Sequence, residues 1–483
     1  MKSFALISAL AAASIVNAGP TPTENELPKR ADSLPTVTAS GNGKTIMILL
    51  GLAAKLYTNI AITAFWTGSD RFYIRGIDYQ PGGSSSDADP LADTDVCKRD
   101  IAKFQELGVN TIRVYMVDNS KNHDDCMTEL ANAGIYLVLD VNNPKYSINR
   151  YNAAPSYNAV YLQSVFATVE EFAKYTNTLA FFSGNEVINE QANSTLAAPY
   201  VKATTRDIKQ FIGSRGLRAI PVGYSAADVA GNRMQTAAYF NCGSDDARSD
   251  FFAFNDYSWC SPSDFQTSGW DQKVKNFTGY GLPIFLSEWG CIANPPRTFE
   301  ELGALMNSEM TGVYSGGLVY EYSKEGNGFG VVEISGTNSD VTEETEFGNL
   351  KSALSKYPAP TGNGGFTSTT TSAACPTADD DWQVDSDSLP AIPDSAKDYM
   401  TNGAGAGPGL KGDGSQDAGS TSTGTASSGS GSVSATASGK NGSGRPAPPM
   451  DMSFFAVAGA AGLFTLVGTL LLFLAFTPDE GHK

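Results

Sequence analysis

Two glutamates, Glu186 and Glu288, are the residues of this sequence best placed for acid/base chemistry. Each ends an apolar run of strand length, residues 179–186 and 283–290, at the point where the chain turns polar. Such short apolar runs are typical of buried strands, and a carboxylate at the edge of one is costly unless it is paired or used. Two acids so placed in distant parts of the chain predict the carboxyl pair of a glycosidase.

Other kinds of site are hard to build from this sequence. The chain has only two histidines, His123 and His482, so neither a Ser-His-Asp triad nor a His-rich metal site is expected. Residues 41–45 resemble the end of a phosphate-binding loop but lack its first glycine. The net charge of -18 argues against nucleic acid as a partner, because phosphate binding needs a basic face. We expect no metal and no organic cofactor.

The N-terminus indicates a secreted protein. Residues 1–18 combine a basic start, an apolar stretch and a small-residue end, as a secretory signal peptide does. Residues 19–71 then form a leader, in which Lys29 and Arg30 are either a processing site or merely exposed charges. The six cysteines are expected to form disulfides in an oxidising compartment, although the sequence leaves their pairing open.

The C-terminus indicates a stalk and an anchor. Residues 376–449 are rich in Ser, Thr, Gly and Ala, which predicts a disordered, O-glycosylated stalk because such a composition buries too little apolar area to fold. Residues 450–483 contain an apolar segment, 454–476, long enough to span a bilayer. Together with the small residues that begin at Asn441, this segment fits a GPI-attachment signal. Because residues 477–483 are polar, a transmembrane anchor is the alternative. Glycosylation sequons begin at Asn193, Asn276 and Asn441.

Residues 72–375 have the length of one α/β barrel. Apolar runs predict eight strands, at residues 72–79, 111–117, 135–141, 179–184, 220–224, 251–256, 284–287 and 317–322. Helical spacing of apolar residues predicts helices at residues 95–107, 124–133, 160–175, 199–214 and 299–312. This alternation predicts a TIM (β/α)8 barrel, whose catalytic residues lie at the C-terminal strand ends. Glu186 would close the fourth strand and Glu288 the seventh, both at one mouth.

Neighbouring polar residues extend the predicted site. We assign Glu288 as nucleophile and Glu186 as acid/base, about 5 to 5.5 Å apart as in retaining glycosidases. Asn185 is placed to bind the sugar 2-OH. Tyrosines that end strand runs can stack on a sugar ring or pack in the core; they are Tyr79, Tyr115, Tyr257, Tyr320 and Tyr322. Three charged residues can hold sugar hydroxyls or the glutamates, or form structural salt bridges; they are Asp140, Asp228 and Arg233.

Several of these segments together resemble glycoside hydrolase family 72, the fungal GPI-anchored β-1,3-glucanosyltransferases of the cell wall. They are residues 72–83, 110–115, 184–186, 255–260, 286–291 and 319–322. The resemblance implies internal cleavage of a β-1,3-glucan donor, a glucosyl-enzyme on Glu288 and transfer to the non-reducing end of a β-1,3-glucan acceptor. It also implies attachment to the outer face of the plasma membrane. No Cys follows Cys375, so we expect no cysteine-rich carbohydrate-binding module.

The resemblance also implies individual contacts and disulfides. The implied glucan contacts are Tyr115, Asn142, Asn143, Pro144, Lys145, Tyr146, Ser147, Ile148, Asn149, Arg150, Asn185, Asp228, Arg233 and Tyr320, to which we add Tyr257 as a strand-end tyrosine. The implied disulfides are Cys97–Cys126, Cys242–Cys375 and Cys260–Cys291.

Residues 43–63 form an apolar insertion where the family pattern runs directly from residues 38–42 into residues 64–66. The insertion contains Lys55, whose burial at a bilayer centre would cost about 2.5–3.5 kcal/mol. We interpret the insertion as a translated intron, an error of the gene model.

Two other functions remain open. The first is a hydrolytic endo-β-1,3-glucanase, which differs only in that water attacks the intermediate instead of a sugar hydroxyl. The second is a non-catalytic glycoprotein of the wall, which the stalk and anchor alone would suit. The presence of both glutamates with Asn185 argues against the second.

Overall fold

The computed structural model of the protein describes residues 34–40, 64–67, 70–335, 340–365, 372–385, 388–416, 418 and 425–427. The strands in chain order are β1 (Thr38–Ser40), β2 (Ala64–Thr67), β3 (Asp70–Phe72), β4 (Ile74–Asp78), β5 (Thr111–Val114), β6 (Tyr136–Asp140), β7 (Thr178–Asn185), β8 (Val222–Ala227), β9 (Phe251–Asp256), β10 (Ile284–Trp289), β11 (Tyr314–Val319), β12 (Val332–Ser335), β13 (Asp340–Glu343), β14 (Ser388–Pro390) and β15 (Thr425–Ser427).

The helices in chain order are α1 (Thr94–Leu107), α2 (Asp124–Asn132), α3 (Ala153–Ser156), α4 (Ala159–Phe172), α5 (Ala198–Ser214), α6 (Arg233–Asn241), α7 (Trp270–Phe277), α8 (Glu301–Leu305), α9 (Ser308–Thr311), α10 (Thr345–Lys356) and α11 (Asp394–Asn402). A 3₁₀-helix spans Ala192–Ala197.

Strands β4 to β11 form a closed barrel in which each strand lies beside its neighbour in the chain and β11 closes onto β4. All eight pairings are parallel. The predicted TIM barrel is confirmed, because each predicted strand overlaps one barrel strand. The predicted helix 299–312 is two helices, since Asn307 caps α9 through the backbone N–H of Glu309.

A plug of aromatic side chains fills the bottom of the barrel. Phe65 of β2 lies 5.9 Å from Phe251 and 5.7 Å from Phe285, measured between ring centroids, and all three rings are fully buried. Both partners lie near the N-terminal ends of their strands. The hairpin of β1 and β2, in which Ser40 lies opposite Ala64, thus closes this end. Part of the predicted leader is therefore built into the barrel, and the C-terminal strand ends form the mouth.

Three disulfides tie the outer elements together, and they are the pairs that the family resemblance implies. They are Cys97–Cys126, Cys242–Cys375 and Cys260–Cys291, with Cα–Cα distances of 5.8, 5.0 and 5.0 Å. The first joins α1 to α2, and the third joins the loops after β9 and β10 at the mouth. The second holds the segment after α10 against the end of α6.

The predicted stalk begins later in the chain than its composition suggests. Trp382 and Leu389 are fully buried and Ile392 is nearly so. Residues 388–416, here named the C-terminal arm, place α11 against α4 and α5. A few apolar anchors spaced along a polar segment supply the burial that a composition average conceals. Residues 376–416 therefore pack on the barrel over their described parts.

Several predicted features lie outside the described residues. They are the signal peptide, the insertion at 43–63, the later stalk at 428–449, Asn441 and the anchor segment 450–483. Within the part of the chain that the structure describes, no helix has both the length and the apolar character to cross a bilayer.

Candidate active site

Glu288 lies near the end of β10, every residue of which is buried. Its Oε1 accepts hydrogen bonds from the Tyr115 hydroxyl (2.9 Å) and from Nη1 of Arg113 (3.1 Å). Its Oε2 accepts a hydrogen bond of 2.7 Å from the Tyr257 hydroxyl. All three partners are donors, and this is the environment that an ionised carboxylate requires.

Arg113 is the buried cation beside Glu288, and the sequence pattern did not predict it as a site residue. Its side chain is 0% exposed, and its Nε and Nη2 bind the two oxygens of Asp140 at 2.8 and 3.2 Å. The guanidinium also lies 4.2 Å from the ring centroid of Tyr115. A buried charge is costly unless it is paired. A lone arginine inside the apolar strand β5 was therefore the signal that could have identified it.

Glu186 follows β7 directly and has a φ of 47°, a conformation that is uncommon for a residue other than glycine. Its backbone N–H donates to the carbonyl of Ser225 at 2.9 Å, and its Oε1 accepts a hydrogen bond of 2.9 Å from Nδ2 of Asn255. The amide oxygen of Asn185 accepts from Ser225 Oγ (2.7 Å) and Asn255 Nδ2 (3.1 Å). Asn255, which the sequence pattern did not predict as a site residue either, thus orients both Asn185 and Glu186.

Asn255 lies next to both glutamates. The register of β9 and β10 places Asn255 beside Glu288, and the same Asn255 donates to Glu186. Burial raises the pKa of Glu288 to about 7, with Arg113 acting in the opposite direction and the charge of Glu186 raising it further. The two carboxyl groups therefore interact across one cleft at the mouth.

A cavity of about 210 Å³ opens beside these residues. Its lining residues are Ser84, Tyr115, Asp140, Asn142, Asn143, Pro144, Ser147, Ile148, Ser183, Gly184, Asn185 and Val187. They come from the loop after β4, from the C-terminal ends of β6 and β7, from the residues just after β5 and β7, and from the loop after β6. Most are polar and uncharged, and such groups suit hydroxyl-rich ligands because each can donate or accept a hydrogen bond.

The predicted tyrosines divide into two groups. Tyr320 lies edge to face with Tyr115 and Tyr257, at 6.4 and 6.3 Å between ring centroids, so these three surround Glu288. Tyr79 and Tyr322 are core residues instead. Their hydroxyls each donate a hydrogen bond of 2.7 Å to Asp100.

Other predicted contacts do not line the cavity. Lys145 Nζ donates to the carbonyl of Leu410, and the Tyr146 hydroxyl accepts from the N–H of Gly414, so both serve the C-terminal arm. Asn149 also bonds the arm. The guanidinium of Arg150 bonds the backbone carbonyls of Glu186 and Val187. Asp228 pairs with Arg233 and, at 2.6 Å, with Lys273.

Two further buried acids, Asp78 and Glu321, lie near Glu288. Asp78 is 0% exposed and neither of its carboxyl oxygens has a hydrogen-bond partner among the described residues. Burial raises its pKa well above the usual value. Burial also raises the pKa of Glu321 to about 8, against a hydrogen bond of 2.7 Å from Asn327. Both acids lie in segments that carry the family resemblance, but the pattern alone gave neither a role.

A closed (β/α)8 barrel with two interacting glutamates at its mouth is the arrangement of barrel enzymes that act on glycosidic bonds. The chain belongs to the glucanosyltransferase family, glycoside hydrolase family 72, whose family model matches residues 53–358.

Named relatives and a solved structure are similar to this chain. The 1,3-beta-glucanosyltransferase gel1 of Aspergillus fumigatus is 67% identical over 350 residues, which are 72% of this chain and 76% of that protein. The 1,3-beta-glucanosyltransferase PGA4 of Candida albicans is 54% identical over 340 residues, 70% of this chain and 74% of that protein. The structure of Saccharomyces cerevisiae Gas2p in complex with laminaritriose and laminaritetraose has a TM-score of 0.66 at 35% identity, over 76% of this chain and 79% of that chain.

Proposed function

We infer that this protein is a retaining β-1,3-glucanosyltransferase that elongates β-1,3-glucan. The observation that carries the inference is the carboxylate of Glu288, held by three hydrogen-bond donors at the mouth of the barrel, where the charge of Glu186 raises its pKa. Membership of the glucanosyltransferase family supports the substrate class and the transfer reaction.

The first half of the reaction breaks the donor glucan. Glu288 attacks the anomeric carbon and forms a glucosyl-enzyme ester, while Glu186 donates its proton to the departing glycosidic oxygen. The leaving part of the glucan gains that proton as a hydroxyl group. The Asn185 oxygen is already engaged by Ser225 and Asn255, so its NH₂ group is the donor for the sugar 2-OH.

The second half transfers the glucosyl group. Glu186, now ionised, removes the proton from the 3-OH of an acceptor glucan, and the oxygen displaces Glu288 from the anomeric carbon. Both carboxyl groups return to their starting states. If water took the place of the acceptor, the protein would be an endo-β-1,3-glucanase. Exclusion of water by a bound acceptor favours transfer.

Product analysis separates these two reactions. We expect the purified protein, incubated with a laminari-oligosaccharide of defined length, to give products longer than the substrate. Glu186→Gln and Glu288→Gln should each abolish this activity while leaving the circular dichroism spectrum unchanged. Products that are only shorter than the substrate would show a hydrolase, and full activity in either variant would contradict the assignment of the pair.

We also propose that the protein lies on the outer face of the plasma membrane through a GPI anchor attached at Asn441, and in the cell wall. The signal peptide at residues 1–18 and the attachment signal at residues 450–483 support this location. A phosphatidylinositol-specific phospholipase should release the protein from intact cells. Retention after complete cleavage of a known GPI protein in the same cells would indicate a transmembrane anchor instead.

A further inference from the structure

One wall of the cavity is a loop rather than a strand or helix. Asn143, Pro144, Ser147 and Ile148 all line the cavity and all belong to the loop between β6 and α3. Within the loop, Asn143 and Tyr146 exchange two backbone hydrogen bonds. The carbonyls of Lys145 and Ser147 take their partners from outside the loop, as backbone groups away from water must. The shape of this wall therefore depends in part on what holds the loop from its other side.

The C-terminal arm supplies those partners. The N–H of Ser415 donates to the carbonyl of Lys145 at 2.9 Å. Nε2 of Gln416 donates to the carbonyl of Ser147 at 2.8 Å, and its Oε1 accepts from Nδ2 of Asn149 at 3.1 Å. The Gln416 amide thus hydrogen-bonds the loop residues on both sides of Ile148.

The arm is itself closely fitted to the barrel. Ser415 is fully buried, and its carbonyl accepts a hydrogen bond of 2.6 Å from Nδ2 of Asn158. A Cβ atom added at Gly412 would lie 2.1 Å from the hydroxyl of Tyr146, which is itself 2% exposed. Only glycine allows so close an approach. The glycine-rich sequence of the arm is therefore a packing surface.

We propose that the C-terminal arm is part of the glucan-binding site, and that Gln416 is a positioning residue that holds the loop at residues 143–149 in its binding shape. This inference rests on the proposed function, because it assigns the loop wall to the donor glucan. The groups that carry out the chemistry, Glu186 and Glu288, have their partners on or beside β5, β8 and β9 and do not touch the arm. Loss of the arm contacts therefore changes substrate affinity more than the chemical step.

The test is Gln416→Ala in the full chain, assayed with laminari-oligosaccharides as donor. We expect KM to rise about threefold to tenfold while kcat stays within about twofold, because the lost hydrogen bonds shape the cavity without contacting the reacting atoms. The matched control is Gln235→Ala. Gln235 lies on α6, and its Nε2 donates a hydrogen bond of 2.9 Å to Asp379, which precedes the C-terminal arm and lies apart from the loop. The control should keep the KM of the unchanged protein.

A second variant and a second measurement complete the test. Gly412→Ala, which puts a methyl group against Tyr146, should raise KM in the same way. Hydrogen exchange of residues 143–149 should become faster in both variants. An unchanged KM in both, or an equal rise in Gln235→Ala, would overturn the role of the arm. If the unchanged protein formed no products longer than the donor, the proposed function itself would fail.

Discussion

The hydroxyl of Tyr257 lies 2.7 Å from Oε2 of Glu288. A hydrogen bond to a charged group contributes about 1.5–3 kcal/mol, so Tyr257→Phe should lower kcat/KM about tenfold to a hundredfold. Steady-state kinetics on a laminari-oligosaccharide measures the change. Tyr79→Phe is the matched control, because it removes a hydrogen bond of 2.7 Å to Asp100, away from Glu288. An equal loss of kcat/KM in the control would mean that the effect reports on folding.

The pH dependence of kcat/KM should follow the ionisation of the Glu288 carboxyl. Burial raises the pKa of this carboxyl to about 7, and in its proposed role as nucleophile Glu288 attacks the anomeric carbon only when ionised. In the free enzyme, kcat/KM should therefore fall as the pH drops below about 7. Tyr257→Phe removes a donor to the ionised form, which raises the pKa of Glu288 and moves this acid limb to higher pH. A profile that stays flat down to pH 4, or a limb that moves to lower pH, would contradict the assignment.

His123 should make the free energy of unfolding fall as the pH rises. Burial lowers its pKa, but hydrogen bonds with Asp89 (2.8 Å) and Glu171 (3.1 Å) outweigh burial and raise the pKa to about 9. Because this exceeds the unfolded value of about 6.5, the stabilisation is complete below pH 6.5 and is lost as the pH rises through 9. The free energy of unfolding should fall by about 3 kcal/mol over that interval.

Denaturant unfolding at a series of pH values measures this effect. The variant His123→Gln keeps a polar side chain but cannot titrate, so its unfolding free energy should lack this dependence between pH 6.5 and 9. If the variant kept the same slope, another group would be responsible.

The prediction of the barrel, which the structure confirms, and the choice of the two glutamates as the proposed catalytic pair both depend on local sequence pattern. Apolar runs mark the strands, and a charged residue at the end of such a run is visible without knowledge of the fold. Arg113 and Asn255 were not predicted, because their roles depend on hydrogen bonds to residues of other strands. The bonds from Arg113 to Glu288 and from Asn255 to Glu186 exist only once the barrel is closed.

The C-terminal arm shows where a prediction from composition alone fails. Its glycine and polar content is the same as that of a disordered stalk, and composition gives no weight to where each glycine falls. Gly412 matters because of Tyr146, which lies far away in the chain. A rule based on composition therefore places the end of the folded domain too early.

The insertion at residues 43–63 leads to the last prediction. Ser40 pairs with Ala64 at the end of the hairpin of β1 and β2. If residues 43–63 were removed, only Gly41 and Asn42 would connect this pair, and glycine at the first position is what a two-residue type II′ hairpin turn prefers.

We therefore propose that residues 43–63 are encoded by an unspliced intron, and that a chain lacking them folds at least as stably. Closing the shorter connection should cost about 2 kcal/mol less in loop entropy, so the midpoint of thermal unfolding should stay the same or rise. Deletion of residues 41–63 is the control, because it leaves no turn between Ser40 and Ala64 and should lower that midpoint. Mature message that contains these codons, or a loss of folding when residues 43–63 alone are deleted, would overturn the proposal.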